Sequence, residues 1–151
     1  MITCKRSAYV RIIALLLAIS LAAPCYASAA VIEPVQPMGS DYFDSYSAYV
    51  CAMGGGKIEI WFTVSATRSM DKLGALTIML YESANQEEWT RVKTYTYENY
   101  PSMLVQGTIL HTYGVPYYGI AGRYYKAHVF FYASKDGTSD SRGITTAVQM
   151  G

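Results

Sequence analysis

From Lys57 to Ala66 apolar and polar residues alternate without a break. Ile58, Ile60, Phe62, Val64 and Ala66 fall on one side, and Lys57, Glu59, Trp61, Thr63 and Ser65 on the other. Successive side chains of a strand point to opposite faces, so the stretch predicts a strand with one buried face and makes Trp61 a candidate surface aromatic. Ala75 to Glu82 repeats the pattern, with Leu76, Ile78 and Leu80 inward and Thr77, Met79 and Tyr81 outward. Gly122 to Ser134 predicts the central strand. Its face of Tyr125, Ala127, Val129, Phe131 and Ala133 is apolar, and Lys126, His128 and Ser134 mark the other face as wet. Yet Tyr124, Phe130 and Tyr132 place rings on that wet face, so either a further layer covers them or the surface binds something. The expected core is Ile60, Phe62, Leu76, Ile78, Leu80, Val129 and Phe131.

The remaining segments read less sharply. Ser45 to Met53 carries apolar residues on both faces, and Gly54-Gly55-Gly56 supplies a hairpin turn before the Lys57 strand. Thr67 to Gly74 reads as a polar connection with Met70 and Leu73 tucked under it, and Ser83 to Glu88 as a solvated turn. Trp89 to Tyr97 is β-rich without a hydrophobic face, which predicts an edge strand guarded by Arg91 and Lys93. Met103 to Tyr113 reads as a strand broken at Gly107, Gly114 to Gly119 as a loop, Lys135 to Gly143 as a hairpin loop and Ile144 to Gln149 as the last strand. About seven strands with no helical period predict an all-β protein, an antiparallel β-sandwich of immunoglobulin-like type. The run Gly122-Arg123-Tyr124-Tyr125-Lys126-Ala127 resembles the sixth strand of that fold, with Tyr125 tying down a corner two residues before the buried Ala127. The paired cysteines of that fold are missing, so the resemblance concerns architecture alone.

Ahead of the domain, Lys5, Arg6 and Arg11 precede an apolar run from Ile12 to Ala23 that is too short to span a bilayer, and Ala27-Ser28-Ala29 follows as an A-x-A cleavage pattern. The sequence thus divides into a signal peptide over 1–29, an extended arm or linker over 30–40 rich in Pro and Gly, and a β-sandwich domain over 41–151. Pro24 before Cys25 argues against a lipoprotein signal, although cleavage after Ala27 is a second option. Removing Lys5, Arg6 and Arg11 from the 12 Lys+Arg leaves 9 against 11 Asp+Glu. A mildly acidic chain of about 120 residues is one domain with a real core, and it lacks the basic excess that nucleic acid or an anionic membrane surface calls for. Cys4 and Cys25 leave with the leader, so no internal disulfide is expected, and Cys51 reads as a small apolar strand residue.

Ser69-Met70-Asp71-Lys72-Leu73-Gly74-Ala75, then Tyr81-Glu82, Trp89 and Val92, then Gly119 to Ala133 with its G-x-x-G-R-Y-Y-x-A-x-V-x-F-Y-A spacing, resemble an uncharacterised family of small secreted proteins of Gram-positive bacteria known only as a domain of unknown function. The resemblance spans most of the exported chain and implies export and a β-sandwich, without an activity.

Candidate chemistry is sparse. Asp136, Ser139 and Asp140, or Asp41 with Asp44, supply too few oxygen ligands for a dedicated Ca²⁺ site, and Asp136-Gly137 is by itself a common hairpin turn. His111 and His128 have no metal-ligand spacing and no evident relation to Cys51. Glu87 and Glu88 keep a turn wet, whereas Glu82 and Glu98 stand at strand ends from which glycosidases present acids. No nucleophile elbow is present. The reading is therefore a secreted, extracellular, non-catalytic binding or adhesion module with no cofactor and no metal. Its binding residues would be Met79, Tyr81, Tyr124, His128, Phe130 and Tyr132, and its partner an extracellular protein or glycan. The alternative is a secreted structural or toxin-like protein that acts by self-assembly or membrane contact, and a glycan-active enzyme stands behind both.

Overall fold

The computed structural model describes residues 40–151; the leader and all of the arm except Ser40 lie outside the described residues. Two antiparallel sheets face one another as an all-β sandwich. The first has the order β1-β2-β6, from β1 (Phe43–Gly54), β2 (Lys57–Met70) and β6 (Thr108–Tyr118). The second runs β4-β3-β7-β8, from β3 (Lys72–Ser83), β4 (Thr90–Thr96), β7 (Tyr124–Lys135) and β8 (Thr138–Thr145). Two short strands complete it, β5 (Leu104–Val105) on β3 and β9 (Gln149–Met150) on β7.

The alternation in β2 and β7 places their apolar faces against one another. Ile58, Ile60, Phe62, Val64, Tyr125, Ala127, Val129, Phe131 and Ala133 all have 0% exposure. Phe131 is the hub, with the Tyr46 ring 5.1 Å away and the Phe62 ring 5.9 Å away at 78°. In β1, whose sequence favours neither side, Tyr46, Ala48 and Val50 turn in, while Tyr49, Cys51 and Met53 turn out. The edge expected at Trp89 to Tyr97 is there, as β4. The Tyr125 hydroxyl ties the corner before β7: it accepts the Ile120 N–H at 2.7 Å and donates to Glu82 Oε2 at 2.8 Å. Burial, reinforced by the Glu82 carboxylate, pushes its pKa up to about 12.

Four expectations need correction, besides the last strand read over Ile144 to Gln149, which is interrupted: β8 ends at Thr145 and strand pairing resumes only in β9. Leu76 is not in the core: the pairing of β3 with β7 shifts register between Ala75 and Thr77, and this bulge takes Leu76 out of the alternation, so Leu73 and Ala75 turn in before it and Ile78 and Leu80 after it. The connection read over Thr67 to Gly74 shrinks to Asp71, where the chain leaves one sheet for the other while Met70 and Leu73 stay buried. The Asp71 carboxylate accepts from Lys135 Nζ at 3.0 Å and from the Asp136 N–H at 2.8 Å, and these bonds hold it below the usual carboxylate range. The loop read over Lys135 to Gly143 is a tight turn at Asp136 and Gly137, φ 51° and 80°, and the polar residues after it form the edge strand β8. The loop read over Gly114 to Gly119 is strand as far as Tyr118. Pro116 is tolerated there because β6 is an edge of its sheet.

Candidate binding face

Strand β7 turns Tyr124, Lys126, His128, Phe130 and Tyr132 away from the core, a row about 26 Å long at roughly 3.3 Å per residue. Its neighbours set what stands beside each ring. On β3, Met79 pairs with His128, Tyr81 with Lys126 and Thr77 with Phe130. On β8, Thr145 pairs with His128, Gly143 with Phe130 and Ser141 with Tyr132. On β4, Thr94 pairs with Met79 and Arg91 with Tyr81. The six candidate residues therefore share one face. None of them is buried, and Phe130 is 39% exposed, so no layer formed by the described residues closes over them. The Ala30 to Gly39 part of the arm, the other possible cover, lies outside the described residues.

Contacts within the face hold its side chains in place. The Tyr81 and His128 rings lie 5.2 Å apart, and His128 Nε2 is 3.2 Å from Thr145 Oγ1. The Met79 sulfur accepts from Tyr81 Oη at 3.8 Å and from Arg91 Nη1 at 3.7 Å. At one end the face gains a residue that alternation did not assign to it. Trp89 follows the turn in which Ser83 and Asn85 accept the backbone N–H groups of residues 85–88. Its own Nε1 donates to Gln86 O at 3.0 Å, and its ring lies under Lys126 Nζ at 4.0 Å. The signal for Trp89 was its place beside a polar turn rather than any strand period.

Catalytic and metal chemistry gains little from the geometry. Among the described residues no group of three or more His, Cys, Asp or Glu is placed to hold a metal ion. Asp140 pairs with Arg142 at 2.9 Å and accepts from Ser40, and Asp44 accepts from Ser65. Glu82, engaged by Tyr125, pairs with Thr90 at the start of β4, whereas Glu98 lies past the other end of that strand, so the two carboxylates are not brought together. Glu98 lines a groove of about 330 Å³ with Lys72, Tyr97, Pro101, Leu104 and Gln106. Its own backbone N–H and the Thr96 hydroxyl keep its carboxyl below the usual range. Among the described residues, the groove lining holds no second carboxylate to pair with this acid as glycoside hydrolysis requires. Cys51 and His128 stand on the outer faces of opposite sheets.

Comparison of the chain with protein-family models, curated proteins and solved structures finds no match.

Proposed function

We propose that the protein is an exported, non-catalytic binding module and that the outer face of the β4-β3-β7-β8 sheet is its binding surface. The observation that carries this reading is the row Tyr124, Lys126, His128, Phe130 and Tyr132, joined by Met79, Tyr81 and Trp89, which none of the described residues covers. Tyrosine, phenylalanine, tryptophan, methionine and arginine are the side chains enriched where proteins meet, and Arg91 and Lys126 give the apolar centre a charged margin. This composition favours an extracellular protein as the partner; a glycan is the other candidate. The leader pattern before Ala30 and the resemblance to small secreted proteins support export. An immunoglobulin-like reading of the sandwich is supported by the order β8-β7-β3-β4, which matches a G-F-C sheet with a further strand beyond C, and by the Tyr125 corner.

The test is a paired substitution of Phe130 and Tyr132 by Ser. The variant should keep the circular dichroism and melting behaviour of a folded sandwich while the labelled protein loses its attachment to the envelope of cells that export it. Unchanged attachment, or a variant that no longer folds, would overturn the assignment. Self-association through the same rings is the second reading, favoured by the 39% exposure of Phe130 at the centre of the face. It requires an elution volume in size-exclusion chromatography that depends on concentration, and that dependence should vanish in the double variant.

A further inference from the structure

The opposite outer face, on the β1-β2-β6 sheet, carries an independent arrangement of rings. Trp61 on β2 is flanked in register by Tyr49 on β1 and Gly114 on β6. A Cβ at Gly114 would stand 2.7 to 2.8 Å from Trp61 Cδ2, Cε2 and Cε3, so the indole lies over the β6 backbone in space that only glycine leaves. Its Nε1 donates to Glu59 Oε2 at 3.1 Å, which fixes its orientation. Glu59 Oε1 is 3.5 Å from Lys57 Nζ, and that ammonium is 5.8 Å from the centre of the Tyr118 ring. Further along β6, Pro116 pairs with Glu59 and Tyr118 with Lys57. The face thus has a rail of rings, Trp61, Pro116 and Tyr118, about 13 Å long, beside a polar rail of Thr63, Glu59 and Lys57. Tyr49 is 43% and Tyr118 76% exposed.

We propose that this face binds a glycan chain lying along β6, with the apolar faces of its pyranose rings on Trp61, Pro116 and Tyr118 and its hydroxyls on Glu59 and Lys57. An indole seated on the backbone, with its N–H already bonded, offers a ligand its π face, and the ligands that use such a face are sugars, bases and cations. Nucleic acid needs several cations free to meet phosphates, and Lys57 on this rail is shared with Glu59. A quaternary ammonium needs ring faces converging on one point, whereas these rings are strung along a strand. A second copy of the chain, or any flat protein surface, would strip water from the Lys57–Glu59 pair at a cost its attraction does not recover. Sugar hydroxyls, which both donate and accept, keep that pair hydrogen-bonded while the rings are covered. The rail lies on an edge strand, so it suits a chain longer than one sugar.

The protein has two tryptophans, so Trp89→Phe leaves Trp61 as the only indole fluorophore. This variant is titrated with β-1,4-linked glucose and N-acetylglucosamine oligomers from disaccharide to hexasaccharide. The expected result is a saturable shift in Trp61 emission with at least one series, at an affinity that tightens with length until the rail is covered. In the otherwise native chain, calorimetry with the same oligomers should show binding weakened about tenfold or more by Trp61→Ala. Gly114→Ala, which lifts the indole, should weaken it while the fold is kept. Because the emission change is read at Trp61 alone, a glycan held on the opposite face does not produce it, which separates this site from the binding surface proposed above. Absence of any emission shift at millimolar oligosaccharide, or native affinity in Trp61→Ala, would overturn the proposal.

Discussion

Phe130 and Phe131 are neighbours on β7, yet one is 39% exposed and the other fully buried. The two sides of this strand are nearly equal in ring content, with Tyr125 and Phe131 inside against Tyr124, Phe130 and Tyr132 outside. What separates them is the surface opposite. The inner side meets Tyr46, Phe62 and the rest of the β1-β2-β6 sheet, whereas among the described residues the outer side meets its own neighbours in the sheet. Hydrophobic residues therefore do not define the core by themselves; a second layer does.

Substitutions on the two sides of β7 should differ widely in cost. Phe131→Ala should cost about 3 to 5 kcal/mol in denaturant melts, because it leaves a cavity among Tyr46, Phe62 and β3. A loss near 1 kcal/mol would show the inner side to be as loosely held as the outer. Tyr125→Phe keeps the ring but takes the hydroxyl from the Ile120 N–H and from Glu82, and should cost about 1 to 3 kcal/mol. His111 probes the flank of the sandwich: burial beside Phe62 holds its pKa below the usual 6.5. The unfolded chain then takes up this proton first, so the contribution is intact above the unfolded value and is lost as pH falls from there toward the folded pKa. Melting temperature should decline between about pH 7 and 5 more steeply in the native protein than in His111→Gln, and parallel profiles would remove His111 from the account. The smallest effect belongs to Phe130→Ala, which should cost under about 1 kcal/mol. A cost matching that of Phe131→Ala would move the outer ring into the core.

Much of this was legible wherever a strand has one dry side. The alternation in β2 and β7 marks inward and outward residues correctly, and it puts Tyr124, His128, Phe130 and Tyr132 of the candidate face on the outward side of β7, while Met79 and Tyr81 stand beside them on β3. Leu76 misled because its neighbours alternate in phase, while the bulge that displaces it depends on the register with β7, which no local window contains. Residues 138–143 read as loop because edge strands accept Thr, Ser, Asp and Gly, and their backbone pairs with β7 whatever the side chains prefer. Gly114 read as a loop residue for the same kind of reason: its use is to seat Trp61, a residue on another strand. Trp89 joined the outer face through a turn, where no period exists to report direction.

The passage of the chain from β2 to β3 at Asp71 has a consequence for the rate at which the protein assembles. One continuous run, Lys57 to Ser83, supplies a central strand to each sheet, and each then waits for a partner far along the chain: β6 for β2 and β7 for β3. The hairpins β1–β2, β3–β4 and β7–β8 can close early, but two-stranded ribbons are marginal on their own. Closure of both sheets therefore shares one slow, long-range step, and refolding should fall in the millisecond-to-second range typical of sandwiches rather than the faster range of helical domains.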